Sequence, residues 1–132
     1  MKQRPMLTLE DCKQISAAAE AEAKKNSWNV CIAILDDGGH LLHLARMDGA
    51  TPANARIAVE KGRTAAETRR STANWQERVA KRIELLRMPE VTPVQGGVPI
   101  VFDGTCVGAV GVSGVQSHED EQIAAAGIKA LG

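Results

Sequence analysis

The chain has 132 residues, a length for one domain, 1–132, that can bury its own core without staples. Sixteen Lys/Arg balance sixteen Asp/Glu, and the aromatic residues are one Phe and two Trp with no Tyr. A neutral chain with so few stacking platforms is a poor binder of nucleic acid, so no nucleic-acid partner is expected. Three cysteines without CxxC spacing exclude a disulfide framework and a cysteine-built zinc site. No apolar run is long enough for a bilayer and Met1–Asp11 has no secretory core, so no membrane partner and a cytoplasmic location are expected.

In chain order, Thr8-Leu9-Glu10-Asp11 reads as a capping box, an oxygen side chain followed three residues later by an acid. Leu9, Cys12, Ile15, Ala19 and Ala23 follow at helical spacing, and Asn26-Ser27 ends the helix. Trp28–Asp36 is an apolar, β-branched run, hence a buried strand, and Asp37-Gly38-Gly39 is a turn. The return strand places His40, Leu42, Leu44 and Arg46 on one face and Leu41, His43, Ala45 and Met47 on the other. Asp36 and Asp37, adjacent at this turn, are read as turn chemistry rather than as a catalytic acid pair.

Pro52 opens a helix expected from Ala53 to about Thr72, with a further one over Asn74–Leu86 ended by Pro89 and Pro93. Small residues at Gly62, Ala65 and Ala66 let the first lie close to a sheet or another subunit. Val94–Phe102 and Thr105–Ser113 form a second hairpin around Asp103-Gly104. Ser117–Asp120 caps the last helix, with its apolar stripe at Ile123, Ala124, Gly127, Ile128 and Leu131. Helix, hairpin, helices, hairpin, helix implies an α+β fold with one antiparallel sheet flanked by helices. A doubly wound nucleotide fold would need strands and helices to alternate.

Gly108, Gly111 and Gly114 have the wrong spacing for a dinucleotide fingerprint, no GK[ST] follows them, and "GVSGV" is not a nucleophile elbow. Glycines inside a strand mark instead a close approach of something to the backbone, and Gly96-Gly97 marks another. His40 and His43 stand three apart on a strand, on opposite faces, so they cannot share one ion, but either alone can ligate a haem iron. His118 lies in the first turn of the last helix, where neutral imidazole is favoured. Arg46, Lys61 and Arg63 are the cations placed to clamp a carboxylate. They belong to a basic middle, Arg56–Arg87, with nine Lys/Arg against four Asp/Glu, which also reads as a solvated helix face.

"LDDGGHLLHLARMDGA", "IAVEKGRTAAETRR" and "VQGGVPIVFDGTCVGAVGVSGVQSHEDEQIAAAGIKAL" together resemble the haem-degrading/haem-binding domain family, GlcG/HbpS-like, which includes the C-terminal domain of the PduO corrinoid adenosyltransferase. The likeness runs from the first helix to the last. It implies a profilin-like or PAS-like α+β fold, homo-oligomers, and a small-molecule ligand for which haem is the best guess. The chain departs from the family pattern at Gly114-Val115-Gln116-Ser117, and its segment Ser71–Arg87 is longer and more basic.

Two function classes, and a third, follow. In a haem-binding or haem-degrading protein, His40 or His43 faces the iron and Arg46, Lys61 or Arg63 pairs a propionate, with Gly96, Gly97 and His118 further ligand contacts. In an isomerase-like or tautomerase-like enzyme of a catabolic pathway acting on a small organic acid, His118 or Glu119 moves a proton and Lys61 holds a carboxylate. The third class is a structural or regulatory oligomer. No metal beyond haem iron is expected.

Overall fold

A computed structural model describes residues 1–132. The elements are α1 (Leu9–Lys25), β1 (Cys31–Asp36), β2 (Leu41–Arg46), α2 (Pro52–Thr68), α3 (Thr72–Lys81), a 3-10 turn (Ile83–Arg87), β3 (Gly97–Phe102), β4 (Thr105–Ser113) and α4 (Ser117–Lys129). The four strands form one antiparallel sheet in the order β2-β1-β4-β3, so the two hairpins lie side by side and β1 and β4 are central. This is the α+β architecture expected from the element order. No helix is long and apolar enough to cross a membrane.

Both central strands are buried on both faces, which is why "CIAIL" and "VGAVGVS" read as near-continuous apolar runs. One face carries Ile32, Ile34, Val110 and Val112, which pack with Ile15 and Ala19 of α1 and Ile123 and Ala124 of α4. Each fully buried Ile or Val contributes about 1.5–3 kcal/mol. The other face is built from small residues. Cys31, Ala33 and Leu35 meet Ala58 of α2, and Ala109 meets Ala65 and Ala66. A Cβ added at Gly111 would lie 2.0 Å from the Ala58 carbonyl oxygen, so α2 rests on the strand backbone itself.

The caps explain most boundaries. Thr8 accepts the Asp11 N–H at 3.1 Å while the Asp11 carboxylate accepts the Thr8 N–H at 2.8 Å, the expected capping box. The turn at Asp103 and Gly104 has φ of 49° and 75°, as a two-residue hairpin requires.

Several boundaries differ from the sequence reading. Strands β1 and β3 begin at Cys31 and Gly97 rather than Trp28 and Val94. α2 ends at Thr68 because Arg69 turns left-handed (φ 60°), and Ser71 then caps α3 by accepting the Asn74 N–H. Leu86 falls in the 3-10 turn, outside α3. The cap of α4 is Gln116, not Ser117, with the Glu119 carboxylate accepting the Gln116 N–H at 3.1 Å.

The strand faces differ at one point. The β1/β2 register slips between Ile34 and Leu35, so Leu41 stands opposite Leu35 instead of keeping step with His43. A β-bulge inserts a residue and reverses the alternation beyond it. Cys12 and Cys31 are buried and burial pushes both thiols up, whereas Cys106 is only half-buried near the β3/β4 bulge.

Candidate functional site

The sequence-derived site residues fall into three places. At the first, α2 crosses the sheet beside the start of β3. Lys61 is buried, and its Nζ donates to the Val112 carbonyl and to Asp120 Oδ2, both at 3.0 Å. The second Asp120 oxygen accepts the Val115 N–H at 3.1 Å. Burial pushes the Asp120 carboxyl up, against the opposing pull of Lys61 and the Val115 N–H. Gly96 and Gly97 wrap this lysine. A Cβ at Gly96 would lie 2.8 Å from Lys61 Nζ, and one at Gly97 would lie 2.3 Å from the Lys61 carbonyl oxygen. What approaches Gly96-Gly97 is therefore α2, and Thr72 Oγ1 accepts the Gly97 N–H at 2.8 Å.

His118 is exposed, and Glu119, three residues past the α4 cap, is half-buried with its carboxylate on the Gln116 N–H. Asp120, which the sequence offered only as a capping acid, is the partner of Lys61. No local signal marks that pairing, because the two lie 59 positions apart.

The second place is the open end of the β1–β2 hairpin. Arg46 is exposed, and its Nε donates to the Ala50 carbonyl at 3.3 Å. With Lys24, Glu20, Asn29, Met47 and Asp48 it lines a polar cleft of about 330 Å³. Another depression, about 260 Å³ and mostly apolar, lies under the N-terminal segment at Pro5, Met6, Leu7, Phe102, Val107 and Leu131, with Asp11 its only charge. Neither is lined by a histidine or by Lys61 or Glu119.

The third place is the closed end of the same hairpin. Asp36 Oδ1 accepts the backbone N–H groups of Gly38 and His40, both at 2.9 Å, and lies 3.1 Å from His40 Nδ1. Burial alone would raise this carboxyl, but the two backbone N–H groups and the His40 ring outweigh it and hold Asp36 below its usual range. An ionised carboxylate only accepts, so Nδ1 carries the proton. In the neutral ring Nε2 then carries the lone pair, on a side chain that is 81% exposed.

Charges of both signs surround this turn. A Cβ at Gly39 (φ 83°) would lie 2.8 Å from Glu67 Oε1 and 2.9 Å from Arg63 Cγ, so Glu67 and Arg63 both pack directly on the turn. The Arg63 guanidinium pairs with Glu60, while its Nε–H is buried without a partner. Arg69 donates to the Asp37 carbonyl, and Arg4 pairs with the Asp37 carboxylate. Leu41 and Leu42 supply exposed apolar surface alongside. His43, on β2, has a buried Nδ1 without a partner and lies opposite Ile34.

The turn thus joins His40 and Arg63 of the sequence-derived set and adds Asp36 and Arg69. The cue for Asp36 was present, since a tight turn sets the residues at its two ends across from each other. For Arg69 there was none, because its left-handed backbone is visible only in three dimensions.

The family model for the haem degrading protein HbpS-like family matches residues 7–129. The chain belongs to the HbpS-like family. This HbpS-like chain is 48% identical over 114 residues to protein GlcG of Escherichia coli K12, covering 86% of this chain and 85% of GlcG. A double mutant of HbpS from Streptomyces reticuli superposes with a TM-score of 0.92 at 33% identity, over 100% of this chain and 91% of that one. A PduOC:heme complex superposes with a TM-score of 0.86 at 26% identity, over 96% and 95%.

For this HbpS-like chain the group implied is haem. The closed hairpin end fits it in donor chemistry: one imidazole with a free Nε2 fixed by a carboxylate, apolar leucines, and guanidinium groups for carboxylates. The two depressions lack an axial donor.

Proposed function

We propose that this protein binds haem at the closed end of the β1–β2 hairpin, where His40 would hold the iron. The observation that carries the reading is the Asp36–His40 contact at 3.1 Å. A histidine that ligates a metal typically gives its other ring N–H to a carboxylate, which fixes the tautomer and raises the basicity of the ligating nitrogen. Asp36 does that here, and the Gly38 and His40 backbone N–H groups hold Asp36 itself.

Haem, when bound, supplies the redox-active iron. The chain's residues supply the rest. Asp36 orients the imidazole, Leu41 and Leu42 would offer apolar contact to the macrocycle, and the exposed Arg69 and half-buried Arg63 would pair the propionates. The solved haem complex of a relative with the same fold supports the choice of ligand.

Titration of haem into the purified full-length chain tests it. A saturable Soret shift is expected, lost in His40→Ala and kept in His43→Ala and His118→Ala. Absence of a saturable shift, or one indifferent to His40→Ala, overturns the reading.

A further inference from the structure

Of the three cations placed by the sequence to clamp a carboxylate, Lys61 is spent on Asp120 and Arg63 lies at the closed hairpin end. Arg46 remains. It stands at the opposite, open end of the same hairpin and lines the polar cleft of about 330 Å³ with Glu20, Lys24, Asn29, Met47 and Asp48. That volume is at the low end for a small-molecule site. Met47 is the one apolar wall, so the cleft suits a small and strongly polar ligand.

The chain itself holds the rim in place. Strand β2 runs into a turn, Met47–Ala50, closed by the Ala50 N–H donating to the Met47 carbonyl at 3.1 Å. Gly49 has a φ of 91°, the conformation that a glycine supplies at the third place of such a turn. Asn29 packs on it, since a Cβ at Gly49 would lie 2.9 Å from Asn29 Nδ2. Arg46 Nε donates back across the turn to the Ala50 carbonyl at 3.3 Å, and the two terminal guanidinium nitrogens have no partner in the chain. Asp48, in the same turn, is exposed, and its carboxylate pairs with nothing.

The charges then select the ligand. Lys24 and Glu20 satisfy each other at 3.1 Å. The cleft balances two cations against two acids, and what it leaves open is one guanidinium fork and one carboxylate. A simple anion meets no net attraction in such a site, and neither does a simple cation. A molecule that carries both a carboxylate and an ammonium group meets both open partners at once. We propose that this cleft binds a small zwitterion of the α-amino-acid class, Arg46 taking the carboxylate and Asp48 the ammonium. The lack of a broad apolar wall restricts it to amino acids with short polar side chains. The site is separate from the haem site, which lies at the other end of the hairpin.

Saturation-transfer NMR of L-serine with the full-length chain tests it. A saturable signal is expected. Arg46→Gln and Asp48→Asn should each weaken the apparent affinity by about tenfold, the loss of one hydrogen-bonded charge contact. Both side chains are exposed, so the melting temperatures should match the parent's. Arg46→Lys, which keeps the charge and loses the fork, replaces Arg46→Gln should that variant fail to fold. Acetate and ethylammonium, each with half of the charge pattern, should bind about tenfold more weakly than serine. His40→Ala should leave serine binding unchanged, so this site and the haem site are read independently. A serine signal that does not saturate overturns the proposal. So does acetate binding as tightly as serine, which would make the cleft a simple anion site, and so does a serine affinity indifferent to Asp48→Asn.

Discussion

Lys61 Nζ lies 3.0 Å from Asp120 Oδ2, with both side chains almost wholly excluded from water. The pair ties the middle of α2 to the first turn of α4, and the Val112 carbonyl and Val115 N–H complete its hydrogen bonds. Burial costs the Asp120 carboxylate more than Lys61 and the Val115 N–H return, so its carboxyl is raised.

Breaking this pair from one side should therefore be worse than removing it. Lys61→Met or Asp120→Leu alone is expected to destabilise by about 3–5 kcal/mol, since each strands one buried charge. The double variant should recover most of that loss. Urea unfolding of the four proteins in a mutant cycle checks it, and equal, additive losses would contradict a coupled pair.

Gly111 should tolerate no side chain. A Cβ there meets the Ala58 carbonyl oxygen at 2.0 Å and the Gly62 nitrogen at 2.5 Å, both backbone atoms that move only with the whole of α2. Gly111→Ala is expected to cost at least about 1–3 kcal/mol, the range for overpacking, where Gly104→Ala, with nothing within 4 Å, carries only the strain of its positive φ. Thermal melts of the two variants compare them.

Asp36→Asn should weaken haem binding by about 10–100-fold, the usual loss when the partner of a ligating histidine is removed. Haem titration followed at the Soret band reads this out. His43→Ala is expected to leave the affinity unchanged, since it is the His40 ring that faces the Asp36 carboxylate, whereas His43 Nδ1 is buried without a partner.

The same carboxylate gives a pH signature. The folded Asp36 sits below its ordinary value, so the stability it contributes is fully present above the unfolded value of about 3.9 and is lost as the pH falls through the folded one. Asp120 has the opposite sign. Its folded value is raised, so its contribution is present in acid and is lost as the pH rises from about 3.9 through the folded value. Denaturant midpoints across pH 3 to 6 should therefore fall less steeply in acid for Asp36→Asn than for the parent, while Asp120→Leu should remove the decline on the alkaline side.

The amino-acid sequence alone determined the element order, the two hairpin turns and the start of α1, because each rests on residues within a few positions of one another. The Asp103-Gly104 turn needs only two residues with positive φ, and the Thr8–Asp11 box needs only four residues of local chain. The motif spacings and the family resemblance were legible for the same reason, as patterns along the chain. Tertiary structure decided the rest. That Lys61 is spent on Asp120 rather than open to a ligand follows from α2 and α4 meeting across β4, and the glycines at 96 and 97 are explained by that same helix. The bulge that turns Leu41 over depends on the β1 register, and the Asp36–His40–Arg63 grouping depends on α2 lying against Gly39. Such contacts join residues that are distant in the chain, and their energy is gained only once the backbone has already been brought together.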